Sequence, residues 1–140
     1  QVLPGRPAVI YDVAHNPHAA ATLAQNLGNM GFHPFTYAVF GVMQDKDIDG
    51  VIAPMASYID HWCVAQLPSP RSADAAELVR QVQALAPAGA KPGEWSAAAF
   101  PDPAAAFDDA IRRAGENDRI VVFGSFYTVA GVMAARKTST

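Results

Sequence analysis

Residues 8–18 read Ala8-Val9-Ile10-Tyr11-Asp12-Val13-Ala14-His15-Asn16-Pro17-His18. The apolar run 8–13, broken only by Asp12, passes into a polar turn that carries His15 and Asn16. Such a continuous run suits a strand buried on both faces of a parallel sheet; a half-exposed strand would alternate. Asn16 followed by Pro17 suits a helix start, because Asn accepts a bond from a free first-turn N–H and proline has none to satisfy. Ala20, Leu23, Ala24, Leu27 and Met30 then share one helical face, with Gly31 as the expected stop.

The same unit recurs along the chain. Phe35 to Phe40 predicts a second strand, followed by a loop over 41–47. Ile48, Val51, Ile52, Met55 and Ile59 predict a helix that Pro54 bends or shortens. Trp62 to Ala65 predicts a third strand, and Ser72 is placed to cap a helix bearing Leu78, Val79, Val82 and Leu85. Residues 86–92, rich in Pro, Gly and Ala, read as a loop, and 95–100 as a short strand near a sheet edge. Asp102-Pro103 opens a helix with Phe107, Ala110, Ile111 and Ala114 inward. Arg119 to Phe123 is a strand that Gly124-Ser125 turns into a last helix through Val129, Ala130 and Met133. Residues 137–140 read as a frayed tail. This alternation predicts an α/β fold: a Rossmann-like three-layer sandwich, with a mostly parallel sheet and helices on both faces.

Composition sets outer bounds. The length of 140 residues suits one domain. Apolar residues make up 51% and charged residues 16%, enough apolar surface to offset ordering entropy, so disorder is excluded. A net charge of −3 without a Lys/Arg cluster argues against nucleic-acid and membrane-surface binding. No apolar run reaches the ~18–20 residues of a membrane span. One cysteine, Cys63, permits no internal disulfide and reads as an inert core thiol in a reducing compartment. The chain opens on Gln1, with no signal-like segment, which predicts a piece of a longer protein.

Ligands of open α/β sheets gather at the carboxyl ends of the strands. Three polar segments fall there: 12–18, 41–47 and 124–128. Asp12 suits either a ribose contact or a loop brace. His15 and Asn16 suit a carboxylate or phosphate at a helix N-terminus, while Asn16 also suits the cap itself. His18 reads as a surface residue. Lys46, between Asp45 and Asp47, suits a phosphate contact or loop ion pairs, with Asp47 also placed as a cap. Ser125 suits an anion contact or a cap. The chain lacks the G-x-G-x-x-G, G-x-x-x-x-G-K-[ST] and G-x-S-x-G motifs, so it carries no dinucleotide fingerprint, P-loop or nucleophile elbow. His15 and His18 have metal spacing on a helix but no third ligand, so no metal site is assigned.

Asp12 to Ala20 closely resembles the D-x-A-H-N-P segment of the folylpolyglutamate synthases, above all the bifunctional bacterial dihydrofolate synthase/folylpolyglutamate synthase type, in the Mur ligase superfamily. Asp45-Lys46-Asp47, Pro70-Arg71, Gly124-Ser125-Phe126 and Thr128-Val129-Ala130 carry the resemblance along nearly the whole chain. It implies that residues 1–136 are the C-terminal, glutamate ligase domain of an ATP-dependent amide ligase. In that family ATP phosphorylates a carboxylate of dihydropteroate or a folyl glutamate, and the amine of L-glutamate attacks the acyl phosphate. The resemblance further implies ATP and Mg2+ as cofactors, held mainly by an N-terminal domain absent from this chain. It implies a cytoplasmic, monomeric parent with that domain, L-glutamate and a pteroate or folate as partners.

Carried over by motif, Asp12, His15 and Asn16 would serve ATP. His15, Ser125 and Arg71 would serve glutamate, with Ser125 on its carboxylate and His15 as the catalytic residue. Asp45, Lys46 and Asp47 would be loop or phosphate residues. The family also has a nucleotide-contacting arginine in a G-R-F-Q segment before the first strand. Here the chain opens as though cut just after it, and Arg6 of Gly5-Arg6-Pro7 lies too close to Asp12 to replace it. The isolated domain is therefore expected to be inactive. On the residues alone two other classes stay open: a stand-alone nucleotide- or anion-binding module, and a flavodoxin-like regulatory domain.

Overall fold

The computed structural model describes residues 2–3 and 7–138, with residues 2, 3 and 138 described through their backbone. Gln1, Gly5, Arg6 and residues 139–140, on which some expectations rest, lie outside the described residues. Six strands form one sheet: β1 (Val2–Leu3), β2 (Ala8–Tyr11), β3 (Thr36–Phe40), β4 (His61–Ala65), β5 (Ser96–Phe100) and β6 (Arg119–Phe123). Their order is β1-β2-β6-β3-β4-β5; β1 runs antiparallel to β2 and every other pairing is parallel. The helices are α1 (Pro17–Gly28), α2 (Ile48–Met55), α3 (Ala75–Ala84), α4 (Pro103–Arg113) and α5 (Phe126–Thr138). The mostly parallel α/β sandwich read from the sequence is the observed fold.

The unbroken apolar strands have a direct explanation. Alternate residues serve two separate cores. Ile10, Ala38, Phe40, Trp62, Val64, Val121 and Phe123 pack with the buried side chains of α1, α2 and α3. Val9, Tyr11, Tyr37, Val39, Cys63, Ile120 and Val122 pack against α4 and α5. Aromatic rings lock the first core, with Phe40 stacked on Phe123 at 4.8 Å and edge-on to Trp62 at 5.7 Å. Burying each such side chain contributes roughly 1.5–3 kcal/mol.

Several element ends differ from the sequence reading. β2 stops at Tyr11, because the Asp12 carboxylate bonds the Ala14 N–H at 2.8 Å and turns the chain away, leaving Val13 half exposed. α1 ends at Gly28, and Gly31 follows with φ +88° in the turn beyond. α2 closes at Met55, one residue past Pro54, so Ile59 is buried outside it. α3 is capped by Asp74, which accepts from the Glu77 N–H, and not by Ser72. Ser72 braces the preceding loop instead, accepting from the Leu67 N–H and donating to the Ala73 carbonyl. α5 runs on through Lys137 to Thr138. β5 lies at a sheet edge, as expected, paired with β4 alone.

Candidate functional site

β6 lies between β2 and β3, so the loops leaving these three strands meet along one edge of the sheet. The Asp12 N–H still bonds the Val122 carbonyl, and the Gly41 N–H reaches that of Phe123. All three polar segments predicted from sequence are thereby brought together.

On the β2 loop, each polar side chain is held by its own backbone. Asp12 Oδ1 accepts from the Ala14 N–H, leaving Oδ2 for another donor. The exposed His15 ring lies with Nδ1 2.9 Å from the Val13 carbonyl. A carbonyl only accepts, so Nδ1 carries the proton and Nε2 of the neutral ring presents a lone pair. Asn16 caps α1 by accepting from the Ala19 N–H at 2.9 Å, with Pro17 in the first turn. His18 is exposed on the same turn. Beside this loop is an open recess of about 350 Å³, lined by Tyr11, Asp12, Val13, Val129 and Met133. Its lining residues are apolar apart from the Asp12 carboxylate and the Tyr11 hydroxyl.

The central loop is the tightest. Gly124 has φ +112°, and a Cβ there would collide with the carbonyl oxygen of Gly41. Gly41 is equally confined, since its Cβ would lie 2.7 Å from Leu67 and 2.9 Å from the Ala65 carbonyl. The β6 and β3 loops can therefore touch only through glycine backbone. Ser125 Oγ accepts from the Thr128 N–H at 3.2 Å, capping α5, and lies 3.1 Å from Thr128 Oγ1. Thr128 donates onward to the Gly41 carbonyl at 2.8 Å.

The β3 loop is braced more loosely. Asp47 caps α2 by accepting from the Gly50 N–H at 3.1 Å. Asp45 meets Arg71 at 3.4 Å, with both side chains largely exposed. The backbone reinforces this contact through Gln44 N–H to the Arg71 carbonyl and a Met43–Ser72 bridge. Arg71 is thus carried to the edge of the site by the loop after β4. Lys46 is half-buried in the turn closed by its own N–H on the Met43 carbonyl.

Sequence reasoning missed Thr128 as a site residue. It quoted the residue only as part of a motif, and the bond that matters spans 87 positions. The available signal was a Gly-Ser turn followed three residues later by a second hydroxyl, the spacing of a helix cap. Cys63 behaves as read: it is buried beside Asp109, and burial pushes its thiol up to about 12. Among the described residues no cluster of three His, Cys, Asp or Glu side chains is placed to hold a metal ion. No helix among them is long and apolar enough to cross a membrane.

Comparison with known proteins places this edge in context. Residues 1–126 match the family model described as "Mur ligase, glutamate ligase domain". The dihydrofolate synthase/folylpolyglutamate synthase of Escherichia coli K12 is 37% identical over an alignment of 139 positions that covers 94% of this chain and 30% of that protein. A structure of E. coli FolC in complex with DHPP and ADP superposes with a TM-score of 0.88 at 35% identity, covering 99% of this chain and 31% of that one. A bifunctional folylpolyglutamate synthase/dihydrofolate synthase with Mn, AMPPNP and L-glutamate bound gives 0.83 at 37% identity, over 98% of this chain and 30% of that one. The chain spans about 30% of the length of the relatives it matches. With the fold, the motif order and the family model in agreement, the chain belongs to the glutamate ligase domain family of the Mur ligases.

Proposed function

We propose that this chain is the glutamate ligase domain of an ATP-dependent amide ligase that adds L-glutamate to dihydropteroate, to a folyl (poly)glutamate, or to both. The observation that carries the reading is the meeting of segments 12–18, 41–47 and 124–128 at one sheet edge. In this reading the terminal phosphoryl group of ATP passes to a substrate carboxylate and ADP leaves. The glutamate amine then attacks the acyl phosphate, forming the amide and releasing phosphate and a proton. An N-terminal domain would supply the P-loop that this chain lacks and most of the metal ligands. Closure of the two domains would exclude the water that hydrolyses acyl phosphates. We place the enzyme in the cytoplasm, as a monomer.

Each residue then has a role suited to its geometry. Asp12 Oδ2 accepts from a nucleotide ribose hydroxyl, with the adjoining recess taking an apolar part of the nucleotide. His15 Nε2 takes the proton that the glutamate ammonium must shed, while its Nδ1–H stays on the Val13 carbonyl. Asn16 holds the start of α1 toward the nucleotide. Ser125 binds the incoming glutamate. Arg71, tethered by Asp45, faces a glutamate carboxylate, and Lys46 and Asp47 hold the loop between them. The test is ADP release by the complete enzyme, with L-glutamate and either dihydropteroate or a folate as acceptor. Glutamate-dependent release with at least one acceptor is expected; none with either would overturn the reading.

A further inference from the structure

Three hydroxyl and carbonyl oxygens form a chain whose direction is fixed by the number of hydrogens available. The Gly41 carbonyl has no hydrogen, so Thr128 must donate in their 2.8 Å bond. Thr128 has one hydroxyl hydrogen, and it is now committed. The 3.1 Å contact between Ser125 Oγ and Thr128 Oγ1 therefore runs from Ser125 to Thr128. The Thr128 N–H fills one lone pair of Ser125 at 3.2 Å. Ser125 is left with a single lone pair and no hydrogen. Thr128 is fully buried and Ser125 only 7% exposed, so reversing the chain would strand polar atoms away from water.

We propose that Thr128 is a positioning residue that makes Ser125 an acceptor, so that Ser125 receives an N–H of the incoming amino acid's amine and does not donate to its carboxylate. This rests on the ligase reading above and deepens it. A carboxylate oxygen brought to the open lone pair would meet oxygen against oxygen. An amine that gives one N–H to Ser125 keeps its own lone pair free for the acyl carbon. The Thr128 bond to Gly41 thus couples the β3 loop to the binding of the amine.

The experiment compares Thr128→Val, Thr128→Ser and Ser125→Ala in the complete enzyme. Thr128→Val keeps the side-chain shape but frees the Ser125 hydrogen. Its KM for glutamate should rise about fivefold to tenfold, the worth of one hydrogen bond, with kcat and the KM for ATP nearly unchanged. Thr128→Ser should recover the low KM. A KM for glutamate that falls or stays level in Thr128→Val would overturn the proposal, since a freed hydroxyl would then serve the carboxylate. Glutarate, which lacks the amine, is the second probe. Ser125→Ala should weaken glutamate and leave inhibition by glutarate unchanged; equal weakening of both would also overturn it. If Thr128→Val does not fold, as judged by circular dichroism, the glutarate comparison decides. If glutarate does not compete in the parent enzyme, the Thr128 pair decides. A parent enzyme without glutamate-dependent turnover would instead refute the ligase reading.

Discussion

The two ends of the sheet use the same polar residue types in opposite ways. At the carboxyl end, Asp12, His15, Asn16, Asp47 and Ser125 bond backbone or side-chain atoms two or three residues away. At the amino end the partners are distant. Arg119 donates to Thr36 Oγ1 and to the Leu27 carbonyl, both at 2.7 Å and across 83 and 92 positions. Asp118 accepts from the Phe35 N–H, and Asp60 from the Thr36 N–H. His61, Ser96 and Arg113 close a further cluster there, across 35, 52 and 17 positions. Distant bonds exist only once the chain has folded, so they hold the fold together. Local bonds shape a loop and leave its outer atoms to solvent or ligand. The difference separates polar residues that stabilise from those available for chemistry. Thr128 and the Arg71–Asp45 pair depart from this at the carboxyl end, because their bonds span 87 and 26 positions.

Gly124→Ala should break the comparison most sharply, because it attacks a site loop through the backbone. The positive φ and the collision with the Gly41 carbonyl together should cost about 3 kcal/mol or more, read as a lower urea midpoint. His15→Ala should do the reverse. Loss of the proposed general base predicts about a 100-fold or greater fall in kcat of the complete enzyme. The unfolding midpoint should stay put, since His15 is exposed and bonds only its own loop. An equal loss of stability would erase the distinction between the two ends.

Arg119→Met tests the amino end. Leaving the Leu27 carbonyl and Thr36 hydroxyl without a donor should cost about 2–4 kcal/mol, with the KM for glutamate unaffected. The smallest effect should come from pH. His61 is held below its ordinary value of 6.5, first by burial and then by the Arg113 guanidinium, against the opposing pull of Asp60 and Asp118. Above pH 6.5 it is neutral both folded and unfolded. Below 6.5 the unfolded chain takes the proton first, so stability should decline as pH falls from 6.5 toward the folded value and then level off. Unfolding midpoints between pH 7.5 and 5 should show this slope, and His61→Gln should flatten it.

The fold was legible wherever a strand is buried on both faces, because continuous apolar runs such as 120–123 have no other good use in a chain this short. β1 was not, since two residues cannot express a period and their pairing with β2 is a long-range event. Ser72 was mistaken for a cap because its type suits the role equally well. Only the loop it braces shows that Asp74, two residues later, faces the free N–H groups. At the site, the three loops could be placed from the strand ends alone. The touching of Gly41 and Gly124 could not, because strand order decides which loops are neighbours. Arg119 read as the polar start of a strand, and nothing local distinguishes it from an exposed one.

The outer side of β5 has a bearing on aggregation. An edge strand offers unpaired backbone groups on which another chain can template itself. Here that strand is five residues long, mostly alanine, and is followed at once by Pro101. Proline has no N–H to extend a ladder, and the alanines offer an incoming strand little side-chain surface to grip. Pairing between two copies would therefore begin on a short, weakly adhesive rung and stop at its end. Replacing Ala97 to Ala99 with valines would strengthen that grip without touching the candidate site.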